Sequence, residues 1–154
     1  GHEFAVVRAA IQSNDAQLDR IADKVLSAID PDSEQPTVAL LGLAFKAGTD
    51  DTRMSPALEI ATRLVTAGNE VNAYDPQARL VGDADGVVQM RGVDEACQNA
   101  DVVLVATEWA EFSDIDFEKL ATVMRGRTIV DTRDIVDRVK AESAGLRVIQ
   151  IGRR

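Results

Sequence analysis

The sequence predicts an α/β domain of Rossmann-like, doubly wound architecture: a mostly parallel sheet with helices on both faces, preceded by one long N-terminal helix. Three observations predict it. From Val38 onward, short apolar runs alternate with helix-length segments, a pattern that calls for right-handed crossovers between parallel strands. The run Val102-Val103-Leu104-Val105 is apolar without alternation, the mark of a strand buried on both faces. Ahead of these, Val7, Ile11, Leu18, Ile21, Val25 and Ile29 keep a helical period.

The elements follow in order. Residues 1–30 read as helix, with 1–4 given little weight because they could be foreign to the natural chain. Asn14 interrupts the apolar stripe and is read as a polar residue at a helix seam. Residues 31–36 are a polar, proline-punctuated linker, and 37–154 form the α/β domain. Its first strand is expected over Val38 to Phe45. Ser55 as N-cap and Pro56 at the first position start a helix with Leu58, Ile60, Ala61, Leu64 and Val65 on its apolar face, and Gly68 ends it. A second strand runs from Val71 to Tyr74 and closes at Asp75-Pro76. Residues 87–90 form a short strand, 94–100 a short helix, and 101–107 contain the clearest strand, Val102-Val103-Leu104-Val105. Helix is expected over 117–124, strand over 128–131, helix over 134–144 with Gly145 closing it, and a last strand over 147–151.

Composition excludes several classes. The formal net charge of −9 is spread along the chain, which argues against a nucleic-acid partner. No apolar run is long enough to span a bilayer, and no signal-peptide pattern opens the chain. One cysteine excludes an internal disulfide framework, so a cytoplasmic location is expected. That cysteine, Cys97, lies in Asp94-Glu95-Ala96-Cys97-Gln98, with nothing to lower its pKa, and reads as a buried packing residue. His2 is the only histidine, so neither a Ser-His-Asp triad nor a histidine metal site is supported.

In doubly wound sheets, ligands bind beyond the carboxyl ends of the strands. The segments to inspect are therefore Lys46 to Arg53, Asp75, Thr107 to Trp109, and Asp131 to Asp134. The first is neither a dinucleotide fingerprint nor a Walker loop. It offers a cation, a turn, and a second cation just before a capped helix. Lys46 and Arg53 could hold phosphate there, or could pair with Asp50 and Asp51. Asp75, without a glycine fingerprint beside it, is read as a turn residue bonding backbone amides. Trp109 either walls a cleft or packs.

The stretch Gly42-Leu43-Ala44-Phe45-Lys46 through Thr49-Asp50-Asp51-Thr52-Arg53-Met54-Ser55-Pro56 resembles the signature of the UDP-glucose/GDP-mannose dehydrogenase family, with Met54 where that family often has Glu. Further resemblances follow in order: Val71 to Pro76, Thr107-Glu108-Trp109 with Phe112, Asp131-Thr132-Arg133-Asp134 against Asp-Gly-Arg-Asn, and the ending Ile151-Gly152-Arg153. Val7 to Gln17 resembles the end of the long helix of the family's central domain.

The resemblance implies an enzyme that oxidises the C6 alcohol of a nucleotide sugar to a carboxylate with two NAD molecules in succession. This chain would be its C-terminal, nucleotide-gripping part. The family's NAD domain and its Gly-Gly-x-Cys-x-Pro-Lys-Asp context are absent here, so no catalytic residue and no metal ligand is assigned and the chain alone is expected to be inactive. Carried over by position, Phe45, Lys46 and Arg133 are substrate contacts, and Arg53 reaches across an interdomain cleft to NAD. Arg133 could instead pair with Asp131 or Asp134. Thr132 for Gly and Asp134 for Asn depart from the pattern. Their expected costs are a bulkier backbone and a carboxylate beside Arg133 that weakens nucleotide binding. The implied partner is UDP-glucose or a related nucleotide sugar, with no membrane, and the parent is expected to be a homo-oligomer. GDP-mannose and UDP-N-acetylmannosamine dehydrogenases are the alternatives within the family. A phosphoacceptor receiver of flavodoxin-like topology is a low-ranked alternative; a third reading, a non-catalytic nucleotide-binding module, describes the chain taken by itself.

Overall fold

A computed structural model describes residues 4–80 and 86–152; His2 and Arg153, both named above, lie outside them. Twelve elements are present among the described residues: α1 (Ala5–Leu26), β1 (Thr37–Leu41), α2 (Pro56–Thr66), β2 (Glu70–Tyr74), β3 (Val87–Gln89), α3 (Val93–Cys97), β4 (Val102–Val105), α4 (Ala110–Ser113), α5 (Phe117–Val123), β5 (Thr128–Asp131), α6 (Arg138–Ser143) and β6 (Arg147–Gln150). The six strands form one sheet in the order β3-β2-β1-β4-β5-β6. Every neighbouring pair is parallel, so the sheet is wholly parallel rather than mostly so. This is the doubly wound order of dinucleotide-type folds, with its reversal between β1 and β4. It rules out the receiver alternative, whose flavodoxin-like order is 2-1-3-4-5.

Side chains of a strand alternate between faces, and β1 shows how this divides the core. Val38 and Leu40 join Leu18, Ile21 and Val25 of α1 and Ile60 and Leu64 of α2. Ala39 and Leu41 join Cys97, Phe112, Phe117, Leu120 and Ala141 on the opposite face. All four of these β1 residues are fully buried, as are Val102 to Val105 of β4. The unbroken apolar runs therefore mark strands covered on both sides.

Three expectations need correction. The first strand stops at Leu41 and does not run to Phe45, because Gly42 has φ +102°, which breaks the extended backbone. The last helix begins at Arg138 and not at 134. Residues 133–136 instead wrap around Asp131, and Asp134 has φ +59°. The apolar stripe of the first helix is only half used. Leu18, Ile21, Ala22 and Val25 are buried, whereas Val7 and Ile11 are 55% and 58% exposed. Asn14 also lies in the exposed half. The docked half is tied to α2 by Arg63, which donates to Asp19 at 2.7 Å.

The linker is held at the amino-terminal end of the sheet. Asp101, 4% exposed, accepts the Thr37 amide at 2.8 Å, and Arg125 reaches both Asp101 at 3.5 Å and the Ser33 hydroxyl at 3.2 Å. A concavity of about 960 Å³ lies here. It is an open trough whose central charges already pair with one another, and it is at the end of the sheet away from the ligand crevice of such folds.

Candidate functional site

Folds of this order bind ligands beyond the carboxyl ends of the strands where the order reverses, and here two loops approach closely at that point. Gly42 follows β1 and donates its amide to the Tyr74 carbonyl at 2.7 Å. A Cβ built on Gly42 would lie 2.0 Å from Thr107 Oγ1, so the loops after β1 and β4 meet because that position has no side chain. The chain then turns outward. Phe45 donates its amide to the Asp51 carbonyl at 2.9 Å, closing a small loop that displays Phe45, 52% exposed, and Lys46 beside it. Lys46 is exposed and has no ion-pair partner among the described residues.

Arg53 is placed differently. Its Nε and Nη2 donate to the two oxygens of Asp51 at 2.9 and 2.8 Å, a fork-to-carboxylate pair. These bonds and the Arg53 backbone amide hold the Asp51 carboxyl down to about 2. Pairing with the loop acids therefore occurs for Arg53 and not for Lys46. Ser55 stands at the N-cap position of α2, with Pro56 following, but its side chain makes no capping bond. Its Oγ is buried without a partner, which corrects the expected side-chain cap.

Asp75 is fully buried at the carboxyl end of β2. Its Oδ1 accepts the amides of Gln77 and Ala78 at 2.9 and 2.8 Å. Its Oδ2 accepts the amides of Leu43 and Ala44 at 2.8 and 3.1 Å and Trp109 Nε1 at 3.2 Å. Burial pushes its pKa up, but the amide bonds outweigh that and leave it below the usual carboxylate range. The turn reading of Asp75 holds, and its reach extends to two further loops. Trp109 is partly buried against the α3–α6 core and bonded to Asp75, so it packs. Next to it, Tyr74 donates to Glu111 at 3.1 Å and meets Phe112 edge-on at 6.2 Å.

The loop after β5 is built on Asp131, also fully buried. Its oxygens accept the amides of Arg133, Asp134, Ile135 and Val136, each at 2.9 Å. Holding this turn requires the left-handed conformation at Asp134, which Asp and Asn adopt more readily than other side-chain-bearing residues. The departure from Asn is thus backbone-compatible. Thr132 donates its hydroxyl to the Val105 carbonyl at 2.9 Å and fits without strain of φ. Arg133 donates its Nε to the Ala106 carbonyl at 2.7 Å and lies 3.5 Å from Glu108. Asp131 takes only its backbone amide, so Glu108 is the charge partner, a role the sequence reading did not give it. The signal was present in the Thr107-Glu108-Trp109 motif, but nothing local links Glu108 to a residue 25 positions on.

The fold thus brings the loops carrying Phe45-Lys46, Asp75, Thr107-Trp109 and Arg133 to one end of the sheet. Cys97 is fully buried, and burial, then Asp94, pushes its thiol up to about 12. A thiol so buried suits a packing residue. No group of His, Cys, Asp and Glu suited to a metal ion occurs among the described residues. No helix among them is long and apolar enough to cross a membrane.

Fold and crevice together define a Rossmann-like α/β domain. Within that class, the chain belongs to the UDP-glucose/GDP-mannose dehydrogenase family, whose UDP-binding domain matches residues 39–138. A UDP-glucose 6-dehydrogenase of Rickettsia bellii is 32% identical over 151 residues, covering 96% of this chain and 35% of that protein. Among solved structures, a UDP-D-ManNAc dehydrogenase from Pyrococcus horikoshii superposes with a TM-score of 0.79 at 30% identity, over 99% of this chain and 34% of that one. A GDP-mannose dehydrogenase from Pseudomonas aeruginosa superposes with a TM-score of 0.63 at 28% identity, over 88% of this chain and 31% of that one. The chain spans about a third of the length of the relatives it matches.

Proposed function

We propose that this chain is the nucleotide-gripping part of a UDP-glucose 6-dehydrogenase, the parent reaction being UDP-glucose plus two NAD⁺ and water to UDP-glucuronate and two NADH. In this reading 1–30, of which α1 covers Ala5–Leu26 and not the whole stretch, is the end of a preceding domain's helical segment, 31–36 the linker and 37–154 the UDP-binding domain. The observation that carries it is the juxtaposition beyond the end of β1 of an exposed aromatic, Phe45, and an exposed cation, Lys46, that has no ion-pair partner among the described residues. An aromatic face suits the uracil ring, and an ammonium suits a diphosphate. Arg133 sits at the same crevice end, but Glu108 and the Ala106 carbonyl hold it. Its contribution to an anion is reduced by that carboxylate and depends on release from it.

The crevice does not fit NAD bound in the usual dinucleotide manner. The amides of Leu43 and Ala44, in the loop where a pyrophosphate would need donors, are taken by Asp75. The cofactor of the parent would therefore be held outside this domain, with Arg53, 87% exposed at its side chain, as the residue of this chain that reaches it.

Calorimetry at low salt tests the reading. The chain should bind UDP, and GDP at least tenfold more weakly, a difference of about 1.4 kcal/mol. GDP binding as tight as UDP would favour the GDP-mannose branch. Replacing Arg53 by alanine should leave UDP affinity of the chain within about twofold, since an exposed pair is worth little. In the full-length enzyme the same change should raise the KM for NAD and leave that for UDP-glucose nearly unaltered. Loss of UDP binding in the Arg53→Ala chain would mean that both cations serve one phosphate. Incubated with UDP-glucose and NAD, the chain alone should give no rise in NADH absorbance above a heat-inactivated control.

A further inference from the structure

The carboxylate of Asp75 does more than close a turn. Three loops leave the carboxyl ends of three different strands, and one buried side chain bonds all of them. The loop after β1 contributes the Leu43 and Ala44 amides, the loop after β2 those of Gln77 and Ala78, and the loop after β4 the indole of Trp109. Leu43 and Ala44 immediately precede Phe45 and Lys46, so the direction in which that pair leaves the sheet is set by bonds to β2, a strand that carries no ligand residue in the proposed site. Tyr74, one residue earlier, ties the same strand end to Glu111 just beyond Trp109.

We infer that Asp75 is the positioning residue of this nucleotide cleft: it fixes the Phe45-Lys46 loop and Trp109 relative to one another without touching the ligand. The inference rests on the nucleotide reading of the crevice for its consequence, but its structural part stands apart from that reading. A carboxylate suits the role because it only accepts, and all five of its partners are N–H donors. An isosteric amide has two donors of its own, and one end of it would face N–H groups. Asp75→Asn therefore keeps the volume and breaks the junction.

Two readouts separate the parts. Trp109 is the only tryptophan in the chain, so its emission reports on the junction directly. Amide hydrogen exchange at Leu43 and Ala44 reports on the other arm. In Asp75→Asn, exchange at these two amides should rise by about tenfold or more, and the emission should shift, while the amides of β4 and β5 stay protected. UDP affinity should fall by about tenfold or more for the same reason. Trp109→Phe keeps the carboxylate and removes one donor, and serves where Asp75→Asn does not fold. It should weaken UDP binding by about threefold, the size of one modest hydrogen bond, with Tm held within a few degrees. Unchanged exchange at Leu43 and Ala44 in a folded Asp75→Asn protein would overturn the positioning role, as would unchanged UDP affinity in both variants. Failure of the unsubstituted chain to bind UDP would instead sink the nucleotide reading, and the exchange and emission results would still decide the role of Asp75.

Discussion

Replacing Gly42 with alanine is expected to destabilise the chain by about 2–5 kcal/mol, the sum of a left-handed backbone penalty and an overpacking cost. Both arise at one atom. Gly42 has φ +102°, and the added Cβ would lie 2.0 Å from Thr107 Oγ1, 2.8 Å from its Cβ and 2.9 Å from its backbone nitrogen. Rotating the threonine side chain cannot relieve the contact to the backbone nitrogen, so the loop after β4 has to move. The comparison is Gly48→Ala. That glycine also has positive φ, +79°, but nothing lies within 4 Å of its Cβ position. It should cost about 1–2 kcal/mol, the backbone term alone. Urea unfolding of the two variants at matched m-values isolates the clash. Equal destabilisation would mean that the two loops do not meet as described. Gly42→Ala should also weaken UDP binding, because the displaced segment adjoins Phe45 and Lys46, whereas Gly48→Ala should do so much less.

Replacing Lys46 with alanine is expected to weaken UDP binding by roughly 10- to 100-fold, the equivalent of a charge-assisted hydrogen bond of about 1.5–3 kcal/mol. The reason for assigning so large an effect to one exposed lysine is that, among the described residues, no carboxylate pairs with it. Arg53 is held by Asp51 and Arg133 lies against Glu108, so each must surrender a carboxylate before gripping a phosphate. Lys46 has no such carboxylate to surrender among the described residues. The protein's overall charge of −9 opposes an approaching diphosphate. Binding should thus depend on this local cation, and the Lys46→Ala variant should lose part of the salt dependence seen in the unsubstituted chain. Calorimetry across a salt series measures both. UDP affinity unaffected by Lys46→Ala would place the nucleotide elsewhere, and Arg133 would be the next residue to test.

Much of this protein was determined by its sequence alone. Unbroken apolar runs at Val102 to Val105 and across β1 can only be satisfied by burial on both faces, and that requirement dictates a parallel sheet between helix layers. The motifs from Gly42 to Pro56, Val71 to Pro76 and Asp131 to Asp134, taken in order, then indicate the family. What local pattern could not supply was the choice of partner among charged and polar groups. Arg53 pairs with an acid two residues away, a contact within reach of any sequence reading, whereas Arg133 finds Glu108 across two adjacent strands. Asp75 reads as a turn residue from its own neighbours, yet three of its five donors come from loops 31 to 34 residues distant. Gly42 looks like one more residue of an apolar strand until Thr107 is placed against it. The physical reason is common to all of these. Burial patterns repeat with the short periods of helix and strand and so are written locally, but a hydrogen bond or a steric contact between loops depends on strand order, and only the folded sheet, with β1 seated between β2 and β4, brings those atoms together.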